Sequence, residues 1–417
     1  MLTDVIYRVT GFTHKRKPNH STRPQFKIWG VVLFLVFCTF SAHAQSITPQ
    51  ALNVQKEMPK NQVIAHRGTI FWAPELTEAA FRWARNSAAD YLELDVHRTK
   101  DGQLVVMHDK TLKRTTNVAT VFPGRENDPI GTFTMAELLQ LDAGILFNEK
   151  NPNQARSSFV GQGVLAFEDV FRIAEGKRIK RNPDGSRVYH RTADGGYQFV
   201  YEDDPADNGH RPGVIIETKI PETYLGLEEQ MYQALSDFGW NPLEKNGRKI
   251  SKHFYRKGKV NVGNTKGKIL VQTFSREGML RFKEVFKEEI PVSFLIKSPD
   301  PTKSGAEKSF DEIVDFTIQS GAQFIGTNVS VQDGEVSNKQ FLEKIRAAGL
   351  KINIYSFNND EEMDSYFGDQ KDSNAKPLLD GMITNRADLT THFYKRHHSR
   401  SIAPSQDPKI ILEELGY

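Results

Sequence analysis

Five short segments of the sequence carry side chains suited to one reaction: His66-Arg67-Gly68, Pro74-Glu75, Glu93-Leu94-Asp95, His108-Asp109 and Glu217-Thr218-Lys219. Cleaving a phosphodiester needs an acid for the departing alkoxide, a base for the nucleophile, and cations to absorb charge on the phosphoryl oxygens. His66 and His108 can supply the first two, because imidazole titrates near neutral pH and one ring can be protonated while the other is not. Arg67 and Lys219 supply fixed positive charge to the phosphate, Arg67 through a planar fork and Lys219 as a point charge. Glu93 and Asp95 are two apart on an expected strand, so both face one side and Leu94 the other. Two such carboxylates repel unless a cation sits between them. With Glu217 from the next strand they offer three oxygen ligands, a set for one divalent cation, Ca²⁺ or Mg²⁺, rather than for a thiolate-binding metal. His97 faces the same side and is expected to be hydrogen-bonded behind the ligands instead of binding the ion. Any one of these signals alone is more often structural; their convergence carries the reading.

The elements that must position these groups alternate. From Gln62 onward, short β-rich runs are separated by amphipathic stretches, the pattern of repeated βα units and a parallel sheet. The strand runs are Gln62 to His66, Tyr91 to His97, Val214 to Lys219, Lys268 to Phe274, Val292 to Lys297, Gln323 to Thr327, Lys351 to Phe357 and Gly381 to Thr384, with Leu104 to His108 as a further short one. Eight repeats close a (β/α)8 barrel, and all five segments fall at or just beyond C-terminal strand ends, where such barrels place their active sites. Helical patterns lie at Thr77 to Ala88, Phe167 to Glu175, Leu225 to Phe238, Arg276 to Phe286, Phe310 to Gln319 and Asn338 to Ala348. Two insertions break the spacing. Residues 117–163 follow the second strand region, and the polar stretch 176–213 precedes the third, with Arg187 to His190 and Tyr197 to Tyr201 flanking Asp194-Gly195-Gly196 as an exposed hairpin. The tail after Arg396 shows no pattern and is expected to be frayed or docked.

The order His66-Arg67-Gly68, Pro74-Glu75-Leu76-Thr77, Glu93-Leu94-Asp95-Val96-His97, Thr99-Lys100-Asp101-Gly102 and His108-Asp109 with Arg114-Thr115-Thr116 resembles the glycerophosphodiester phosphodiesterase family, within the phospholipase C-like phosphodiesterase superfamily. The similarity resumes at Val164 to Phe171, Ile216-Glu217-Thr218-Lys219, Val271-Gln272-Thr273-Phe274, around Tyr355, and at Asp380 to Thr384, so it covers roughly residues 62–392 outside the insertions. The resemblance implies a TIM barrel with an insertion after the second strand. It also implies His66 and His108 as the acid/base pair, Glu93, Asp95 and Glu217 as metal ligands, and Arg67 and Lys219 on the phosphate. Glu75, Gln272 and Tyr355 join His97 as residues behind the ligands or in the substrate pocket. The implied reaction is hydrolysis of a small glycerophosphodiester to glycerol 3-phosphate and an alcohol. Two positions depart from the family pattern: Leu76, where a polar residue is usual, and Asn385, where Asp is common.

Residues 1–44 read as a secretory signal. Basic residues precede the apolar run Ile28 to Phe40, which Ala42-His43-Ala44 follows as a cleavage site. At about 13 residues the run is shorter than the roughly 20 of a spanning helix. The sole cysteine, Cys38, would leave with it. So would six of the 55 basic residues and one of the 52 acidic ones, turning the net charge of +3 into −2 with 49 against 51. The body, residues 45–417, is thus expected to be an exported enzyme, periplasmic or secreted, without a nucleic-acid footprint. Hydrophobic residues at 38% and charged residues at 26% fit a packed, water-soluble fold. Two alternatives stand beside this reading. One is a lipid-directed diesterase of the same superfamily, lysophospholipase D or sphingomyelinase D-like, which alone would bring membrane contact. The other is a catalytically silent barrel used for binding.

Overall fold

Eight parallel strands close on themselves: β1 (Gln62–Ala65), β2 (Tyr91–Arg98), β3 (Gly213–Thr218), β4 (Ile269–Thr273), β5 (Val292–Ile296), β6 (Phe324–Asn328), β7 (Lys351–Phe357) and β8 (Gly381–Thr384). In this computed structural model the described residues are 46–244, 250–299, 303–332, 334–367, 377–404 and 406–417. The expected targeting segment and Cys38 lie outside them. Each strand pairs with its successor, and β1 closes the ring by pairing with both β8 (Gln62 opposite Gly381) and β2 (Ile64 opposite Tyr91). Helices follow in turn: α1 (Glu78–Asn86), α2 (Phe167–Ala174), α3 (Leu227–Asp237), α4 (Arg276–Phe286), α5 (Ala306–Gln319), α6 (Lys339–Ala347), α7 (Asp360–Phe367) and α8 (Ala387–Arg396). This is the (β/α)8 barrel the sequence pattern predicts, with α7 and α8 added to the six helices read from periodicity. Among the described residues no helix is long and apolar enough to cross a membrane.

Strand alternation sorts the side chains. Leu92, Leu94 and Val96 of β2 join the large apolar layer between barrel and helices, with Phe171, Phe282 and Phe393. The opposite face fills the barrel itself, where Ile64, Tyr91, Ile215, Leu270, Phe324 and Ile383 form one apolar floor. Because side chains repeat every second residue, the next inward positions are His66, Glu93, Glu217, Gln272 and Asn385. The floor therefore sets the height at which the polar groups emerge.

The short run Leu104–Val106 pairs antiparallel with the end of β2, outside the ring of eight, and continues into Leu165–Ala166. Residues 117–163 fold into several short helical turns around their own apolar cluster of Val118, Ile130, Phe133, Leu138 and Leu141. The second insertion has two antiparallel ladders, Tyr189–Arg191 with Tyr197–Phe199 and Lys177–Ile179 with Tyr201–Asp203, so the hairpin is longer than its sequence pattern suggests. The tail is docked: the helix Pro408–Glu414 lies against α1, where the Trp83 indole donates to the Pro408 carbonyl (3.1 Å), and Arg82 donates to the Tyr417 hydroxyl (2.8 Å).

The foot of the hairpin is held by a buried charge cluster. Asp204 accepts from Arg82 Nε and Nη2 (both 2.8 Å) and from Arg85 Nη2 (2.7 Å), and neither the Asp204 nor the Arg85 side chain is exposed. Although burial pushes the carboxyl up, these hydrogen bonds hold it at about 2. A carboxyl whose folded pKa lies below its unfolded value of about 3.9 stabilises fully above that pH, and the contribution is lost as pH falls toward about 2. Asp204→Asn strands two buried guanidinium groups and is expected to cost about 3 kcal/mol at pH 7. Urea unfolding at neutral and acid pH tests this: the deficit should shrink below about pH 4, and a variant as stable as the parent at pH 7 would contradict it.

Candidate active site

The turn after β1 builds one wall. His66 continues the ladder, its N–H donating to the Thr384 carbonyl (3.0 Å). The chain then turns through left-handed conformations at Arg67 (φ 53°) and Gly68 (φ 77°). A β-carbon on Gly68 would lie 2.8 Å from the backbone of Ala80 in α1, so only glycine lets the turn pack there. The turn aims the Arg67 backbone N–H at Glu93 Oε2 (2.9 Å) and its guanidinium at Glu75 (3.0 Å) and Asp95 (3.6 Å).

Asp95 and Glu217 face each other across the β2–β3 register. Glu93, Asp95 and Glu217 are all buried and offer ligand atoms within 4.8 Å of one another. Burial and the charges of Asp95 and Glu217 push the Glu93 carboxyl well up. Asp95 goes the other way: against burial, Lys219 and Arg67 hold it down. Lys219 Nζ lies 2.9 Å from Asp95 and hydrogen-bonds Glu217, while Asp95 Oδ2 has no hydrogen-bond partner. Three buried, mutually repelling carboxylates with an unused oxygen fit a hard divalent cation.

His66 and His108 are both wall residues of one cleft of about 170 Å³, together with Arg67, Glu93, Glu217 and Lys219. Burial, then the Arg67 charge, lowers His66 to about 3, against its hydrogen bond to the Asn385 amide oxygen and the charges of Asp95 and Glu75. Behind His108 a chain of ions runs back across the mouth. His108 Nδ1 donates to Asp109 (2.6 Å), Arg114 bridges Asp109 (2.5 Å) and Glu75 (2.7 Å), and Glu75 reaches Arg67. Despite burial, the hydrogen bonds from His108 and Arg114 hold Asp109 well below the usual carboxylate range.

The remaining predicted residues surround this cleft. Gln272 Nε2 lies 3.3 Å from Glu93 Oε1. Tyr355 turns its hydroxyl away to the Ile296 carbonyl (2.8 Å) and presents its ring to the cleft beside Phe274, 6.0 Å between centroids. His97 stands apart from the carboxylate cluster, with Nδ1 3.4 Å from the Tyr224 hydroxyl and Nε2 3.4 Å from the His108 carbonyl. Burial lowers its pKa to about 4. Arg114, which ties Glu75 to the His108 partner, had no role assigned from sequence. Its signal is its place after His108-Asp109 in the stretch that carries the family resemblance.

Residues 66–202 match the model of the glycerophosphoryl diester phosphodiesterase family. A glycerophosphodiester phosphodiesterase of Bacillus subtilis is 27% identical over 300 residues, 72% of this chain and 78% of the relative. One from Caldanaerobacter subterraneus is 43% identical over 114 residues, 27% of this chain and 40% of the relative. A solved structure from Silicibacter pomeroyi, whose name places it in the same family, superposes with a TM-score of 0.54 at 16% identity, over 84% of this chain and 98% of that one. That last likeness concerns the barrel alone, while the family model spans His66, Arg67, Glu93, Asp95 and His108. Across residues 66–202 the chain is thus similar to the glycerophosphodiester phosphodiesterase family, and the Bacillus subtilis relative extends that similarity over 72% of this chain.

Proposed function

We propose that the protein hydrolyses glycerophosphodiesters to glycerol 3-phosphate and an alcohol, with His66 and His108 as the acid/base pair and Glu93, Asp95 and Glu217 as ligands of one Ca²⁺ or Mg²⁺. The observation that carries this is the single cleft that both imidazoles share with Glu93, Glu217, Arg67 and Lys219. Among known relatives, the Bacillus subtilis protein bearing the enzyme's name supports it. Arg67 Nε makes no hydrogen bond, its ion-pair partner Asp95 Oδ2 lying 3.6 Å away, so it has a donor to give to a phosphoryl oxygen, and Lys219, paired with the same Asp95, adds charge to the cleft. When bound, the divalent ion neutralises charge on the phosphoryl group. One histidine takes the proton of the nucleophile, which is water or the substrate's own neighbouring hydroxyl, and the other protonates the departing alcohol. Incorporation of ¹⁸O from solvent into the first-formed product marks the water route.

The cleft is below the roughly 300–1,000 Å³ of pockets that engulf larger ligands. It suits a phosphate and a short polyol, with the second alcohol outside. A separate apolar groove, lined by Ile70, Pro74, Ala143, Leu146 and Phe147, adjoins Glu75 and Arg114, and this supports the lipid-directed reading as the alternative. Competition between glycerophosphocholine and a long-chain lysophospholipid decides. Preferential release of glycerol 3-phosphate from the short substrate is expected, and preferential cleavage of the acylated one would overturn the proposal. The basic and apolar pattern of residues 1–44 supports export, with cleavage after Ala44, to a periplasmic or extracellular site of action.

A further inference from the structure

The two histidines differ in what stands behind each ring. His108 Nδ1 meets the carboxylate of Asp109, whereas His66 Nδ1 meets the amide oxygen of Asn385 at 2.7 Å. The direction of that second contact is fixed by a chain ending on backbone. The Ser356 carbonyl can only accept, so Asn358 must turn its Nδ2 toward it (3.1 Å). That leaves Asn358 Oδ1 facing Asn385, which must answer with its own Nδ2 (2.7 Å). Asn385 Oδ1 is then the atom presented to His66, and an oxygen without a proton at 2.7 Å requires the proton on Nδ1. The Ser356 hydroxyl, 3.3 Å from the same nitrogen, is a second acceptor for it. Both asparagines are pinned by backbone: Asn385 N–H donates to the Phe357 carbonyl (3.0 Å), its carbonyl accepts from Thr69 (3.0 Å), and Asn358 N–H donates to Glu362 (2.7 Å).

We propose that Asn358 and Asn385 are positioning residues whose amide relay holds His66 as the Nδ1–H tautomer, making its Nε2 the proton acceptor and leaving His108, backed by Asp109, as the proton donor. This rests on the phosphodiesterase reading and assigns the roles within it. Nε2 of His66 takes the proton of the attacking hydroxyl as the new P–O bond forms. The P–O bond to the leaving alcohol breaks, and His108 delivers its Nε2 proton to the departing oxygen. His66 ends doubly protonated with its Nδ1–H still on Asn385, and His108 ends neutral with its Nδ1–H still on Asp109, so the proton count closes. An amide suits the acceptor role because it orients the ring without adding a negative charge that would hold it in the protonated form before attack. The charged groups facing His66 are Arg67, which opposes protonation, and Asp95 and Glu75, which favour it.

The metal-loaded protein labelled with ¹⁵N-histidine provides the test, with His66 assigned by the signal missing from His66→Gln. The expected result is a neutral Nδ1–H ring for His66 at neutral pH. An Nε2–H ring, or an imidazolium at neutral pH, would overturn the proposal. In kinetics, Asn385→Asp places a carboxylate behind His66, and the acid limb of kcat/KM should move up by about 1–2 pH units. Asn358→Leu, which frees the Asn385 amide to turn over, should lower kcat by about 10-fold at unchanged KM. An acid limb that stays in place in Asn385→Asp while the variant keeps the parent rate would also overturn the relay. If either variant fails to fold, the tautomer of the parent protein still decides. An Nδ1–H ring in a protein without diesterase turnover would leave the tautomer standing and refute the activity, so the two failures are distinguishable.

Discussion

His108→Ala is expected to lower kcat for glycerophosphocholine cleavage by about 10³-fold while KM changes little. The imidazole is the end of a chain in which Asp109, Arg114 and Glu75 link it to Arg67. The ring is about a third exposed, so its removal leaves no large cavity and the fold should persist. The loss should depend on the leaving group. A diester that releases an arylate needs no proton on departure, so His108→Ala should recover most of its deficit there, while His66→Ala, lacking the base, should stay impaired on both substrates. Equal deficits of the two variants on both substrates would contradict the division of labour.

Glu93→Gln is expected to reduce kcat/KM by about 10³-fold, since it removes charge from the cluster that answers a divalent cation. Its effect on stability should have the opposite sign. Glu93 is buried beside Asp95 and Glu217, and both of these push its carboxyl up along with burial. Neutralising it in metal-free protein relieves that repulsion and should raise stability by roughly 1 kcal/mol. Arg67 N–H donates to Glu93 Oε2 and the Gln272 amide to Oε1, so the single oxygen of the variant serves Arg67 while its Nε2 faces Gln272, whose amide can turn to accept. Thermal melts with and without Ca²⁺ or Mg²⁺ test this. The parent should be stabilised by the ion and the variant should not. A metal-free variant less stable than the metal-free parent would mean that Glu93 serves the fold first.

Much of this site is legible in the sequence because a barrel strand writes it with period two. Glu93 and Asp95 flank Leu94, and in the structure the acids meet Glu217 inside while Leu94 joins the outer apolar layer. The eight strand runs fall within a residue or so of the observed strands. What escaped the sequence lacks local pattern. Helix α8 has Thr390, Thr391, His392, Phe393 and Tyr394 in succession, residues of low helix propensity, and is held by packing of Phe393 and Tyr394. Helix α7 is short and ends beside residues outside those described. The docked tail depends on pairs such as Arg82 with Tyr417, 335 positions apart. The His66–Asn385 contact spans 319 positions and exists only because β8 closes onto β1. The sequence shows Asn385 as a departure from the family pattern; the closed ring shows what it touches. Lys219, expected to meet phosphate, is seen in ion pairs with Asp95 and Glu217, a placement that adjacency on one strand end permits but does not predict.

The most direct test of the central claim is the initial rate of glycerol 3-phosphate release from glycerophosphocholine by the purified chain, read with Ca²⁺, with Mg²⁺ and after chelation, beside Glu93→Gln and His66→Ala. The predicted result is release that one of the ions supports, that the chelator abolishes reversibly, and that both variants lose. Release undiminished by chelation, or retained in both variants, would contradict the assignment of the reaction to this cleft.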